Sequence, residues 1–256
     1  MDCVVTAGGI PQEGDILYEC TQGMPKALVD IAGRPMVQRV VDALTAARCV
    51  DRIVVGGLPE DTGIQSTKLA ACVPDQGSLL ANALGAADHL LSLDPTPRQF
   101  LLCSGDIPLI SGGMVDEFAS QCADPSIEFY YGVVRRELME AAFPESRRSY
   151  VHLTDGDMAG GDIFVLHSHV TENRRELFEE LIGDRKSALR QARRIGLGVL
   201  VKLLLHRLSI AEAEQRVARS MGLNGRVVLL RHAELGMDVD KPFQLEICRR
   251  ALGDGG

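Results

Sequence analysis

The sequence predicts an α/β fold built on a mostly parallel sheet with helices on both faces, followed by an elaborated second half. Short apolar β-rich runs alternate with helical patterns from Asp2 to about residue 120, the rhythm of a parallel sheet. Trp is absent and aromatic residues make up only 4 % of the chain, so aliphatic side chains must build the core, as suits a sheet buried on both faces. With 256 residues, 46 % hydrophobic and 24 % charged, the chain is long enough for one domain over 1–256 with a real core.

Asp2–Ala7 is apolar and β-rich and breaks at Gly8-Gly9. Residues 10–25 carry Pro, Gly, Asp and Gln and read as a long loop. Pro35 takes a favourable first-turn position before an apolar helical stretch, Met36–Ala47. Arg52–Gly56 is a second strand, Ser78–Leu91 a helix, and Phe100–Cys103 a third strand that stops at Ser104-Gly105-Asp106. The pattern then changes, and 127–225 reads as an elaboration of the frame. Ile127–Val134, Tyr150–Leu153 and Asp162–Leu166 read as strands, the last two around a hairpin turn at Asp155-Gly156. Residues 171–222 read as a helical insertion, Val227–Leu230 as a last strand, and the stretch from Pro242 as a terminal helix.

The net charge of −8 argues against nucleic acid as the main partner. Seven cysteines, at 3, 20, 49, 72, 103, 122 and 248, include no CxxC pair, so neither a disulfide framework nor a zinc site is indicated. A reducing cytoplasm is the expected location. Met1–Val5 includes an acid and leads straight into a strand, which is not a secretory leader.

Three constellations carry chemistry. Ala7-Gly8-Gly9 ends the first strand, where backbone N–H groups can approach phosphates with no Cβ in the way, and Lys26 of Pro25-Lys26-Ala27 supplies a point charge at the far end of the loop. Neither a dinucleotide fingerprint nor a Walker A loop is present. Gly105-Asp106-Ile107-Pro108 delivers a carboxylate at a strand tip, the oxygen ligand a hard divalent cation takes. Asp238-Val239-Asp240 places two carboxylates two apart, expected to face one cleft with a cation between them. Each has a plainer local alternative: a tight turn with a solvated lysine, a turn cap, and a helix N-cap.

Together these segments resemble the MobA-like nucleotidyltransferase family, over about the first 120 residues and the last 25. Gly33-Arg34-Pro35-Met36 belongs to the same pattern, with Arg34 and Lys241 as candidate helpers. The resemblance implies a Rossmann-like fold of the nucleotide-diphospho-sugar transferase type. It implies that Ala7, Gly8 and Gly9 wrap a nucleoside triphosphate and that Lys26 contacts phosphate. It implies that Asp106 binds magnesium and that Asp240, with Asp238 close by, completes the metal site. Asp75–Leu84 resembles the stretch that reads the nucleobase, with Ser78 the residue chosen there, its alternative role being helix N-cap. The implied reaction is attack of a phosphorylated small-molecule acceptor on the α-phosphorus with release of pyrophosphate. Loop 10–25 departs from the pattern: it is acidic at Glu13, Asp15 and Glu19 and lacks the usual Arg. A glycosyltransferase of the same fold using a nucleotide-sugar donor, and a nucleotide-binding paralogue without turnover, are the rival readings.

The acceptor is expected over the elaborated half, near Gly160-Gly161-Asp162, with Arg135-Arg136 and Arg147-Arg148 flanking the strands. Residues 185–219 hold nine Lys/Arg against two Glu, around an apolar run at Ile195–Leu205. Eleven residues are too few to span a bilayer. The expectation is a helix packed on the core or on a second subunit through Leu197, Leu200, Leu204 and Leu208. Membrane-surface contact through 190–208 is the alternative.

Overall fold

The computed structural model describes residues 1–96, 98–173 and 197–253. The first half of the sheet is parallel. Strand β1 (Cys3–Thr6) lies between β4 (Ile53–Gly56) and β6 (Gln99–Ser104), and β5 (Leu69–Val73) adds outside β4. A small ribbon of β2 (Asp30–Ile31) and β3 (Arg34–Pro35) leads into helix α2 (Met36–Ala46), after a single helical turn α1 (Tyr18–Thr21) in the long loop. Helix α3 (Leu79–Leu93) connects β5 to β6, and α4 (Gly112–Ser120) follows β6.

The second half reverses direction. Strand β7 (Phe129–Arg135) is followed by α5 (Arg136–Ala142) and the hairpin of β8 (Val151–Leu153) and β9 (Gly156–His167). Strand β9 runs antiparallel to both β6 and β7 and so stitches the halves together. Helix α6 (Ser168–Asn173) precedes, and α7 (Leu197–Leu204) and α8 (Ile210–Met221) follow, the undescribed stretch; β10 (Gly225–Leu230) then pairs with β7, and α9 (Pro242–Ala251) closes the order. The sheet has eight strands in the order β10-β7-β9-β6-β1-β4-β5, with β8 on β9.

Alternation along the strands explains why both faces are covered. Cys3 and Val5 of β1 face a core shared with α2, α4 and α9, whereas Val4 faces a second core under α3. The five fully buried residues Met36, Val37, Val40, Val41 and Leu44 fix α2 on its face, each contributing about 1.5–3 kcal/mol of burial.

Several expectations shift. The hairpin turn falls on Thr154-Asp155 rather than Asp155-Gly156, with Leu153 opposite Gly156. Strand β9 begins six residues before Asp162 and carries Gly160-Gly161 inside it. Strand β5, α4 and α5 were not read from the sequence. Of the helical insertion, 174–196 lies outside the described residues, and so do Arg193 and Arg194. Of the expected stripe, Leu200 and Leu208 do pack against Val151 and Leu153 of the hairpin, but Val199 and Leu203 complete the apolar face, while Leu204 is 59 % exposed. An almost wholly apolar segment offers several stripes, and the hairpin beneath it selects one. No helix among the described residues is long and apolar enough to cross a membrane.

Candidate active site

Ala7–Gly9, Lys26, Asp106 and Asp240 meet at the C-terminal ends of β1 and β6, the edge at which open α/β sheets take ligands, whereas Ser78 stands apart at the start of α3. Gly105 N–H donates to the Thr6 carbonyl at 2.8 Å, which joins the two strand ends. Ala7 is pinned to Gly56 O at 2.8 Å, and Lys26 N–H donates to Gly9 O at 2.9 Å, folding the long loop back over the glycines. Glu13, Asp15 and Glu19 are all exposed, so the acidic side chains of the loop point to solvent.

Lys26 is the centre of the arrangement. Its Nζ donates to Asp106 Oδ2 at 2.7 Å and to Asp240 Oδ1 at 2.8 Å. Burial pulls the ammonium's pKa down, but the two facing carboxylates outweigh it and hold the group above the ordinary lysine value, so it is charged. Burial likewise pushes Asp106 up, and Lys26 with the Ser104 hydroxyl, donating at 2.5 Å, holds it below the usual aspartate range. Asp240 is placed by its own N–H on Gln244 Oε1 at 2.9 Å, and Val239 N–H donates to the Asp106 carbonyl at 3.0 Å. The late segment and the β6 tip are therefore one unit. Cys248, buried nearby, is pushed up to about 12 by burial and by the Asp106 charge, so its thiol is protonated and unsuited to nucleophilic attack.

Asp238 corrects the expected pairing. Its Oδ1 is hydrogen-bonded by the Arg148 guanidinium, whereas Asp240 Oδ1 accepts from Lys26. Arg148 Nη2 also donates to Gly160 O at 2.9 Å and stands 3.8 Å from Asp162. The planar fork of arginine reaches two acceptors at once, Asp238 and Gly160 O, and Asp238 is 6 % exposed. The other flanking arginines remain at the surface. Arg135 binds Asp155 O, Arg136 pairs with Glu140 and Asp157, and Arg147 lies over the Phe243 ring. Arg34 is paired with Asp42 of α2, and Lys241 lies by Phe243, so neither is drawn into the centre.

Ser78 caps α3: its Oγ accepts from Ala81 N at 3.1 Å. The sequence pattern singles out none of Ser104, Gln244 and Asn82, and gives Arg148 only as one of the arginines flanking the acceptor strands. Ser104 and Gln244 each stand within four positions of a chosen aspartate, Arg148 lies in a noted arginine pair, and Asn82 lies in the Asp75–Leu84 stretch. Their partners were the missing information. Among the described residues no group of three His, Cys, Asp or Glu gathers to hold a metal by side chains alone; two carboxylates face Lys26.

A glycine loop, a lysine and strand-tip carboxylates on a mixed α/β sheet define the nucleotidyltransferase class. The profile of the MobA-like NTP transferase domain matches residues 4–193, and the chain belongs to that family. A hypothetical transferase from Thermus thermophilus is similar over 95 % of this chain and 98 % of its own, with 34 % identity and a TM-score of 0.79. The fold is shared with CMP:2-keto-3-deoxy-manno-octonic acid synthetase complexed with CTP, at 16 % identity over 99 % of both chains and TM-score 0.60. It is shared also with 4-diphosphocytidyl-2C-methyl-D-erythritol synthase from Anaerococcus prevotii, at 10 % identity, over 98 % of this chain and 95 % of that one, with TM-score 0.57. A curated relative, the bifunctional protein GlmU of Pelotomaculum thermopropionicum, is 33 % identical over 100 residues, 38 % of this chain and 21 % of its own length. The match thus spans about a fifth of that curated relative.

Proposed function

We propose that this nucleotidyltransferase moves a nucleoside monophosphate group from a nucleoside triphosphate to a phosphorylated small-molecule acceptor, releasing pyrophosphate, with magnesium as cofactor. The observation that carries the reading is the Lys26 ammonium lodged between Asp106 and Asp240 beside the glycine loop. The donor set fits a divalent cation. Asp106 and Asp240 converge on one Nζ from separate segments, a pair of carboxylate oxygens of the kind a hard cation takes. Asp106 and Asp240 would hold the ion, whose remaining positions suit water and phosphate oxygens. Bound there, magnesium supplies positive charge to the α-phosphate and the leaving pyrophosphate.

The rest is the work of the chain. Backbone amides of Ala7–Gly9 receive triphosphate oxygens, and Lys26 exchanges a carboxylate partner for phosphate. The acceptor phosphate oxygen attacks the α-phosphorus, a new P–O bond forms, and the bond to the leaving pyrophosphate breaks. An acceptor that is already an anion needs no general base. Positioning and electrostatics carry the catalysis. The acceptor lies on the β9 side, where Gly160-Gly161 and Asp162 meet the centre. Capture of a protein of this fold with CTP supports a triphosphate in such a cleft.

The test is a screen of the purified protein with each of the four triphosphates, magnesium and a panel of phosphorylated acceptors. Pyrophosphate release dependent on one triphosphate and one acceptor is expected. Absence of release in every combination, with turnover of a nucleotide-sugar instead, would overturn the reading. The separate partners of Asp238 and Asp240 already weigh against the Asp-x-Asp unit of a sugar transferase.

A further inference from the structure

One buried amide links two loops at the strand-end edge. Asn82, in the first turn of α3, is 1 % exposed. Its Oδ1 accepts the Gln76 N–H at 2.6 Å, and its Nδ2 donates to Asp75 Oδ1 at 2.7 Å. Asp75 Oδ1 also accepts the Gly77 N–H at 3.2 Å, so residues 75–77 are wrapped around the Asn82 side chain. The other side of the amide lies against the glycine loop. A Cβ on Gly8 would come within 2.0 Å of Asn82 Nδ2. One on Gly57, whose φ is +102°, would meet Gly8 N at 2.3 Å and Asn82 Nδ2 at 2.9 Å. Gly8 and Gly57 thus leave room for this amide and for little else.

The topology says what the two loops have in common. The glycine loop and Lys26 sit over β1 and β6, and β9, on the acceptor side, lies beyond β6. Loop 74–78 follows β5 on the opposite side, beyond β4. A nucleoside attached to phosphates at the glycine loop extends away from the acceptor, over residues 75–78.

We propose that Asn82 is a positioning residue that sets nucleobase selectivity, by fixing the backbone of 75–77 at a set distance from the phosphate-binding glycines. It touches neither the base nor the reacting atoms. This inference rests on the nucleotidyl-transfer reading. Asparagine fills the role because its planar amide offers an acceptor and a donor on the same side-chain tip, both used here by one loop. A buried amide truncated to Ala leaves the Gln76 N–H and the Asp75 carboxylate without their partner.

Isothermal titration with ATP, GTP, CTP, UTP and inorganic tripolyphosphate, each with magnesium, tests the role without any acceptor. The wild-type protein should bind one or a subset of the nucleotides preferentially. Asn82→Ala should weaken the preferred nucleotide about tenfold, level the four to within about twofold, and leave tripolyphosphate within about twofold of wild type. Asp75→Ala removes the amide's acceptor from an exposed residue, spares the fold, and should show the same levelling to a smaller degree; it decides the matter if Asn82→Ala does not fold. Selectivity that survives both substitutions would overturn the inference, as would equal loss of tripolyphosphate and nucleotides, or wild-type binding with no preference. A wild-type protein that binds no triphosphate would overturn the functional reading itself, which separates the two failures.

Discussion

Two clusters of one cation and two carboxylates lie at the strand ends, and their cations differ in what they can give up. Lys26 reaches from a loop on a four-carbon stem and makes two point contacts, to Asp106 and Asp240. Arg148 is held by Asp238, by the Gly160 carbonyl and by the nearby Asp162. Asp240 retains 32 % side-chain exposure, whereas Asp238 retains 9 %. On the proposed function, the first cluster trades its lysine for another cation when a phosphate offers the lysine a new partner. The second, which water reaches less, ties β9 to the segment that carries Asp240. Similar charges thus serve exchange in one place and cohesion in the other, and solvent access with side-chain shape decides which.

The largest expected effect comes from breaking the cohesive cluster. Arg148→Met strands Asp238 and Asp162 in a buried setting and should cost about 3–5 kcal/mol in denaturant unfolding. Lys26→Met should cost less, about 1–2 kcal/mol, because Asp240 is reached by water although Asp106 is largely buried. Equal losses would erase the distinction. Asp106→Asn should fold normally and lose turnover by about 10²-fold or more, since it removes a charged group at the reacting centre. Near-normal turnover at limiting magnesium would count against the centre.

Away from the site, α7 sharpens the same lesson about exposure. Leu203→Ala should destabilise by about 2–3 kcal/mol, the usual result for a buried leucine. Leu204→Ala, on the exposed side, should stay within about 0.5 kcal/mol. Unfolding curves that rank them the other way would restore the stripe expected from the sequence.

A further effect is confined to acid. Desolvation raises Asp116, but the Cys49 N–H at 2.8 Å and Arg48 outweigh it and bring the carboxyl to about 2. A depressed folded pKa stabilises above the unfolded value of about 3.9, and that contribution is lost as pH falls toward about 2. The stability gap between wild type and Asp116→Asn should therefore be constant above about pH 5 and close between about pH 4 and 2. A gap independent of pH would show that the charge plays no part.

The parallel half was legible because its central strands are continuous apolar runs bounded by glycine, and so β1, β4 and β6 fall within one residue of expectation. Strand β5 escaped because an outer strand reading Leu-Ala-Ala-Cys-Val has no partner on its far side to demand strong β-formers. Strand β9 was only half visible. Gly160-Gly161 looks like a turn in sequence, yet these glycines sit in the strand because a Cβ would meet the Tyr131 hydroxyl at 2.4 Å and Leu230 at 2.6 Å. At the site, Lys26, Asp106 and Asp240 were readable as residue types at strand ends, although 214 positions separate the lysine from Asp240. The partner of Asp238 was not readable: an arginine 90 positions away outweighs the local rule that alternate residues face one way.

On the proposed function, Lys26 occupies the place between Asp106 and Asp240 that a divalent cation would take. Electron paramagnetic resonance with manganese as the probe tests it most directly, on wild type and Lys26→Met, with and without triphosphate. The account predicts weak manganese binding by the wild type alone, tightened when triphosphate is added. It predicts binding at least about tenfold tighter by Lys26→Met without nucleotide, abolished when Asp106→Asn is added to that variant. Manganese affinity indifferent to Lys26, or retained after Asp106 is neutralised, would contradict it.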